Sequence, residues 1–324
     1  MKAALCRRYG PPTSISIEEV PNPLPGPGEV LVAIEAAGLT AGDARIRGAR
    51  APRGMGPVIR LVFGLRGPRR PVLGREYAGR VVALGAGVTR YAAGDAVFGI
   101  TDGMRMGAHA EQVAVRADGL ILPRPDSLSV PEAAAFFFGG LTAADFLLDQ
   151  CALQPGERVL VVGGTGAVGS AVIQIARHHG AHVTALAGAH NLDLARELGA
   201  DVALDYRTDP AKGPFDVILD VPGLMPDAAS RLAPGGRLGL VTADLATMLG
   251  AMLRPRRAGG RRLCASVIKE TPQAMARLMA QHQAGAYRPL IGARFPLTDI
   301  AQAHAQADSG HKRGNLVIEV EPLP

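Results

Sequence analysis

The 324-residue chain has no tryptophan, only 4% aromatic residues and three cysteines. Scarce aromatics leave few platforms on which the bases of a single-stranded nucleic acid could stack, which argues against a nucleic-acid partner. Cys6, Cys151 and Cys264 lie far apart and form no C-x-x-C pair. That pattern argues against a disulfide framework and against a structural zinc knot. The opening MKAALCRRYG lacks the apolar core of a secretory signal. Val159–Ala176 is almost wholly apolar, but its glycines and its strand-then-helix patterning mark a buried βα unit, not a membrane span. The expectation is a soluble cytoplasmic protein with no stable membrane insertion.

What is present is globular: 48% hydrophobic and 20% charged residues, with a net charge of +6 that comes largely from arginine. Forty-one glycines and 25 prolines suit a turn-rich β region more than a helical bundle. Over residues 1–120 the predicted strands are Lys2–Cys6, Ser14–Val20, Val30–Ala37, Gly79–Leu84, Asp95–Ile100 and Ala108–Val115, a spacing that suggests a small barrel or sandwich. From about residue 125 the texture changes. SVPEAAAFFFGGLTAADFLLDQ predicts a helix with Ser129 as its N-cap. Strands and helices then alternate: Val159–Val162, Val168–His178, Val183–Ala187, Leu192–Leu198, Val202–Leu204, Phe215–Val221 and Leu238–Thr242. Such alternation predicts an α/β architecture with a parallel, doubly wound sheet. A strand (Ser266–Lys269), a helix (Pro272–Ala284) and a final strand (Asn315–Val320) follow, and this tail could rejoin the first region.

The most informative stretch is RVLVVGGTGAVGSAVIQIARHHGAHVTAL. Gly164, Gly166 and Gly169 fit G-x-G-x-x-G directly after a strand and at the opening of a helix. Val168, Ala171, Val172, Ile175 and Ala176 give that helix one apolar face. A pyrophosphate can then sit on the helix N-terminus, as in a Rossmann dinucleotide site. NAD sites commonly place an acid at the end of the second strand for the ribose 2′-hydroxyl. Here that strand ends in Ala187-Gly188-Ala189-His190-Asn191, and the nearest acid, Asp193, falls in the first turn of a helix capped by Asn191. Without an acid nothing repels a 2′-phosphate, and His190 and Asn191 can contact one, so NADP(H) is the expected cofactor.

GREYAG, residues 74–79, sets Arg75 and Glu76 beside long apolar runs, where charges need partners or a function. The pair could be a metal site, a catalytic pair or a structural ion pair. The segments AAGLTAGDARIRG, PVLGREYAGRVVALGAGVTRYAAGDAVFG, GAHAEQVAV, GLTAADF, the glycine turn and GHKRGNLVI resemble the medium-chain dehydrogenase/reductase superfamily. The chain looks most like its zinc-free branch, which includes NADPH:quinone oxidoreductases.

The resemblance implies a GroES-like β-barrel catalytic domain over 1–122, completed by 266–324, and a Rossmann domain over 123–265. A homodimer is implied as well. Zinc-dependent relatives carry a cysteine ligand in G-x-C-G-x-D and a histidine ligand in G-H-E. Thr40 stands at the first position and Arg75 at the second, while Ala133–Thr142, near the third, holds only Ala, Phe, Gly, Leu and Thr. No metal is expected. Thr40, Asp43 and Arg75 are the candidate catalytic residues, with two readings open: a structural cluster, or Arg75 orienting a substrate carbonyl or carboxylate.

Relatives hold the pyrophosphate where Gly163, Gly164, Thr165, Gly166, Ala167 and Val168 stand here. The resemblance further places Tyr206 beside the adenosine phosphate and Thr142, Val241 and Thr242 near the nicotinamide. Without a Lewis acid, hydride delivery suits an acceptor that is already activated. The expected activity is NADPH-dependent reduction of a quinone or an α,β-unsaturated carbonyl. The alternatives are a zinc-free NADP-dependent alcohol or aldehyde reductase, or a non-catalytic nucleotide- or RNA-binding protein. Two arginine-rich blocks stay open. One has nine arginines and no acid between Asp43 and Glu76; the other is RPRRAGGRR at 254–262. They could be solvated loops, a lid for acidic substrates, or contacts with an anionic membrane or nucleic acid.

Overall fold

The structure, a computed structural model, describes residues 1–50, 56–103, 105–253 and 260–321. Two compact units divide the chain: residues 1–50, 56–137 and 291–321 form the first, and 138–290 the second. Residues 123–137 thus fall with the first unit and 266–290 with the second.

The first unit opens with β1 (Lys2–Cys6) and β2 (Ile15–Glu19), an antiparallel pair, and β3 (Glu29–Leu39). Two helices follow, α1 (Ala41–Gly48) and α2 (Gly56–Phe63), then β4 (Glu76–Leu84), β5 (Ala96–Ile100), β6 (Gln112–Arg116) and β7 (Ile121–Pro123). Strand β3 is the hub, because Val30–Ala33 pair with β4 on one edge and with β6 on the other. Helix α3 (Val130–Ala134) starts where Ser129 predicts it. The Ser129 hydroxyl and N–H both donate to Glu132 Oε2 (2.6 and 2.9 Å) in a capping box.

The helix predicted to run on from Ser129 is broken. It stops at Ala135 and restarts as α4 (Phe137–Ala144), then widens into a π-helical turn over Asp145–Gln150. Beyond it come β8 (Arg158–Val162), α5 (Ala167–His178), β9 (His182–Ala187), α6 (Leu192–Glu197), β10 (Val202–Asp205) and β11 (Phe215–Asp220). Then follow β12 (Leu232–Leu240), α7 (Leu245–Leu253), β13 (Arg262–Cys264) and α8 (Pro272–Gln283). All six strands are parallel and lie in the order β10-β9-β8-β11-β12-β13. In order of appearance this is 3-2-1-4-5-6, the doubly wound Rossmann arrangement, with its switch point between β8 and β11.

The chain returns to the first unit through β14 (Ile291–Pro296), α9 (Ile300–Asp308) and β15 (Asn315–Glu319). There β15 pairs antiparallel with β3, matching Leu316 to Leu39. The core of this unit gathers Val30, Val32, Leu39, Tyr77, Val97, Ile121, Ile300, Leu316 and Ile318, so residues from both ends of the chain share one interior.

Several predicted elements are corrected. Ser266–Lys269 is not a strand; the sixth strand of the Rossmann sheet is Arg262–Cys264. Ala108–Glu111 precede β6, because their N–H groups bond to Gly74, Leu73 and Lys2 carbonyls instead of one ladder partner. The predicted strand Leu238–Thr242 ends at Leu240. The first basic block, where loops are one expectation, contains the helix α2; its residues 51–55 lie outside the described residues, as do 254–259 of the second block.

Candidate active site

At the switch point, Val162 ends β8 and the chain turns through Gly163, whose φ of +78° is left-handed. Gly163 and Gly164 both donate to Leu186 O (3.1 and 3.0 Å), and Gly166 donates back to Gly163 O (3.2 Å). Gly166 is the N-cap of α5 and brings no side chain to the first-turn N–H groups, which leaves that role to an anion. Packing then requires the third glycine: a Cβ on Gly169 would lie 2.1 Å from Gly163 O. The predicted apolar face of α5 is buried, with Val168 at 5% exposure and Ala171, Val172, Ile175 and Ala176 at 0%. Thr165 and Ala167 are buried beside them.

The second strand's end brings the other predicted contacts together. A 3-10 turn, Ala189–Asn191, follows Gly188, and Asn191 N donates to Gly188 O (2.8 Å). Asn191 is the N-cap of α6 but, against expectation, makes no side-chain hydrogen bond to the helix's first N–H groups. Its Oδ1 is buried and, among the described residues, accepts no hydrogen bond. Tyr206, half-exposed, donates its N–H to Ala187 O (3.2 Å), and its ring lies where a Cβ on Gly188 would approach Cε1 to 3.7 Å. His190 is exposed on the same turn.

Arg207, not foreseen, stacks its guanidinium over Tyr206, 5.6 Å from the ring centroid. Its signal was only a basic residue next to a tyrosine already singled out. The neighbouring acid, Asp205, accepts from Arg207 N (3.1 Å). A bare helix start and a cation over an aromatic together fit a dinucleotide phosphate end.

Three further residues lie elsewhere in this unit. Val241 and Thr242 continue β12, and Val241 N donates to Asp220 O (3.3 Å). The buried Thr142 lies on α4 and donates Oγ1 to Phe138 O (2.6 Å). Sequence reasoning missed Asp220, the buried last residue of β11. Its carboxylate accepts from Gly223 N (2.9 Å), Leu224 N (3.1 Å) and Met225 N (2.8 Å) and so shapes the loop at the switch point.

The first unit gathers the charged residues. Thr40 is the N-cap of α1, donating N–H and Oγ1 to Asp43 Oδ2 (2.8 and 2.7 Å) and accepting from Asp43 N (3.3 Å). Asp43 Oδ1 accepts from Gly74 N (3.2 Å), so the buried carboxylate joins the helix start to the strand segment before β4. Arg75 is partly exposed and donates to Thr101 O (3.1 Å). Glu76 is buried, and its Oε1 accepts from Phe137 N (2.8 Å), the first residue of α4. A carboxylate at that end complements the helix dipole.

Lys312 joins this group. Burial pushes its ammonium down to about 8 against the pull of Glu76 and Asp43, and it donates to Gly314 O (3.2 Å). Beneath lie two buried histidines with rings 6.1 Å apart. His109 meets Gly38 O through Nε2 (3.1 Å), whereas neither nitrogen of His304 has a partner among the described residues. Burial lowers the pKa of His109; His304 is pushed to about 2 by burial first, then by the nearby His109 and Arg47. Arg47, fully buried, is paired with Asp308 and donates to Gly10 O (2.5 Å). Among the described residues, no three His, Cys, Asp or Glu side chains gather as a metal site.

A Rossmann sheet with its glycine turn in one unit, and a barrel-like other unit drawn from both chain ends, define a nicotinamide-dependent oxidoreductase. The chain belongs to the medium-chain dehydrogenase/reductase family. Residues 26–126 match the alcohol dehydrogenase GroES-like domain, and residues 198–318 match a domain described as zinc-binding dehydrogenase. The human mitochondrial NAD(P)H oxidoreductase RTN4IP1 is 30% identical over 326 residues, covering 91% of this chain and 82% of that one. The chloroplastic quinone-oxidoreductase QR1 of Triphysaria versicolor is 28% identical, covering 93% and 92%. A solved quinone oxidoreductase from Coxiella burnetii superposes with a TM-score of 0.85 at 25% identity, covering 99% of both chains.

Proposed function

We propose that the protein is a zinc-independent, NADPH-dependent oxidoreductase acting on quinones or α,β-unsaturated carbonyls. The observation that carries the chemistry is the donor set. Thr40 and Arg75 stand where zinc-dependent relatives place ligands, and both side chains are already bonded to protein groups, Asp43 and Thr101 O. An acceptor activated by its own conjugation suits a site without a Lewis acid. When bound, the nicotinamide supplies the hydride. Gly163 to Val168 hold the pyrophosphate on the N-terminus of α5, and Val241, Thr242 and Thr142 face the nicotinamide end. Arg75 orients the acceptor oxygen by a charge-assisted hydrogen bond, while Thr40 and Asp43 fix the loop that leads to it.

Preference for the 2′-phosphate rests on His190, Asn191, Tyr206 and Arg207. Arg207→Ala is expected to weaken NADPH binding about 10-fold while leaving NADH nearly unchanged, since one charge-assisted contact contributes roughly 1.5 kcal/mol. Parallel fluorescence titrations measure this, and equal losses for both nucleotides would remove Arg207 from the phosphate site. With NADPH established, nucleotide oxidation is followed at 340 nm on a panel of quinones, enones and saturated ketones. Turnover is expected on the first two classes. Turnover confined to saturated carbonyls would make the protein an alcohol or aldehyde reductase instead, and turnover on none would overturn the enzymatic reading.

Leu61 and Leu65 are exposed among arginines, which suits contact with an anionic lipid surface that holds quinones. Cytoplasmic residence and a homodimer belong to the same proposal.

A further inference from the structure

The three cysteines are scattered in sequence, yet the fold brings two of them together inside the Rossmann unit. Cys151 follows the π-helical turn, and Cys264 is the last residue of β13. The Cys264 thiol donates to Gln150 O (3.3 Å), the carbonyl directly before Cys151, so it lies against the turn that carries the second thiol. Gly239 of β12 pairs in register with Cys264, and a Cβ on Gly239 would sit 3.6 Å from Cys151 Sγ. The missing side chain on β12 leaves room that Leu219, Phe146 and Cys151 Sγ fill, next to the strand that carries Cys264. Ser266 N adds a bond to Gln150 Oε1 (3.4 Å), tying the segment after β13 to the same turn.

The electrostatics divide the roles. The neighbouring Cys151, then Arg262 and Arg237, hold Cys264 down to about 7, whereas the Cys151 thiol is pushed up. Arg237 is fixed beside the pair, donating Nε to Cys151 O (2.7 Å) and both terminal nitrogens to Glu157. Cys264 is thus the sulfur suited to attack, and Cys151 the one suited to resolve. Both are buried, at 1% and 4% exposure, and Cys264 belongs to the edge strand of the sheet.

We propose that Cys151 and Cys264 form a peroxide-reactive dithiol that closes reversibly to a disulfide within the nucleotide-binding unit. The Cys264 thiolate attacks the terminal oxygen of a hydroperoxide; the S–O bond forms, the O–O bond breaks, and the alkoxide leaves as an alcohol after taking a proton. Cys151 sulfur then attacks Cys264 sulfur; the S–S bond forms, the S–O bond breaks, and hydroxide departs as water with the Cys151 proton. The two thiols are oxidised by two electrons and the peroxide is reduced to alcohol and water. A small dithiol reverses the reaction by exchange.

The test treats the full-length native protein with tert-butyl hydroperoxide, alkylates remaining thiols under denaturing conditions, and maps peptides without reduction. A cross-linked Cys151–Cys264 peptide is expected, with Cys6 still alkylated, and dithiothreitol should restore all three alkylation sites. Closing so long a loop should also raise the melting temperature by several degrees. In Cys151→Ser, which keeps a small side chain, a sulfenic acid should persist at Cys264 and be trapped by dimedone. The proposal is overturned if all three cysteines stay alkylatable after peroxide, or if Cys6 oxidises while the pair does not. The wild-type map needs no variant, so a misfolded Cys151→Ser cannot decide the matter alone.

Discussion

Taking the protein from pH 7 to pH 5 should destabilise it by about 2 kcal/mol through His304 alone. The ring is fully buried on α9, its two nitrogens lack partners among the described residues, and its pKa falls from 6.5 to about 2. The folded state therefore keeps His304 neutral while the unfolded chain takes up a proton below pH 6.5. Stability is complete above the unfolded value and is lost as pH falls, and each unit of separation is worth about 1.36 kcal/mol. His109, lowered by its own burial, acts with the same sign, although Asp43 opposes it. Denaturant midpoints at pH 7 and pH 5 measure the loss. His304→Leu should be no less stable at pH 7, because it removes unpartnered polar atoms at similar volume, and it should flatten the pH slope. Identical slopes for the two proteins would mean that the acid sensitivity arises elsewhere.

Gly169→Val should abolish nucleotide binding and destabilise the second unit by roughly 3 kcal/mol. The added Cβ would fall 2.1 Å from Gly163 O and 2.8 Å from Gly164 Cα, all backbone atoms with no rotamer to move. Gly166→Ala separates fold from function. Its Cβ meets no described atom closer than 3.6 Å, so melting should change little. A methyl on the helix start should nevertheless push away a phosphate and lower NADPH affinity by roughly 10-fold or more. An unchanged Gly166→Ala affinity would show that the pyrophosphate does not lie against this turn.

The Rossmann half was legible because each of its signals is local. A strand, G-x-G-x-x-G and an amphipathic helix occupy consecutive residues, so periodicity alone locates β8 and α5. The charged cluster was legible only in part. Asp43 and Glu76 are conspicuous beside apolar chain, but Phe137 N, Gly74 N and Lys312 reach them from distant segments that no spacing rule connects. His304 gave no sign at all, since no predicted element covers IAQAHAQAD, which the structure folds as α9. The cysteine pair was hidden for the same reason: sequence separation argued against a partnership that the register of β12 and β13 creates. The short helix α2 escaped notice because its apolar residues are interleaved with arginine and flanked by glycine and proline.

The pairing of β15 with β3 has a consequence for synthesis. The ribosome releases β3, β4 and β6 early, yet the edge of β3 at Ala36–Leu39 stays open until residues 316–319 have been translated. The Rossmann segment emerges whole in between and can fold as soon as α8 is clear of the exit tunnel. The GroES-like unit is therefore completed only after the Rossmann unit has been made, with an unsatisfied strand edge until then.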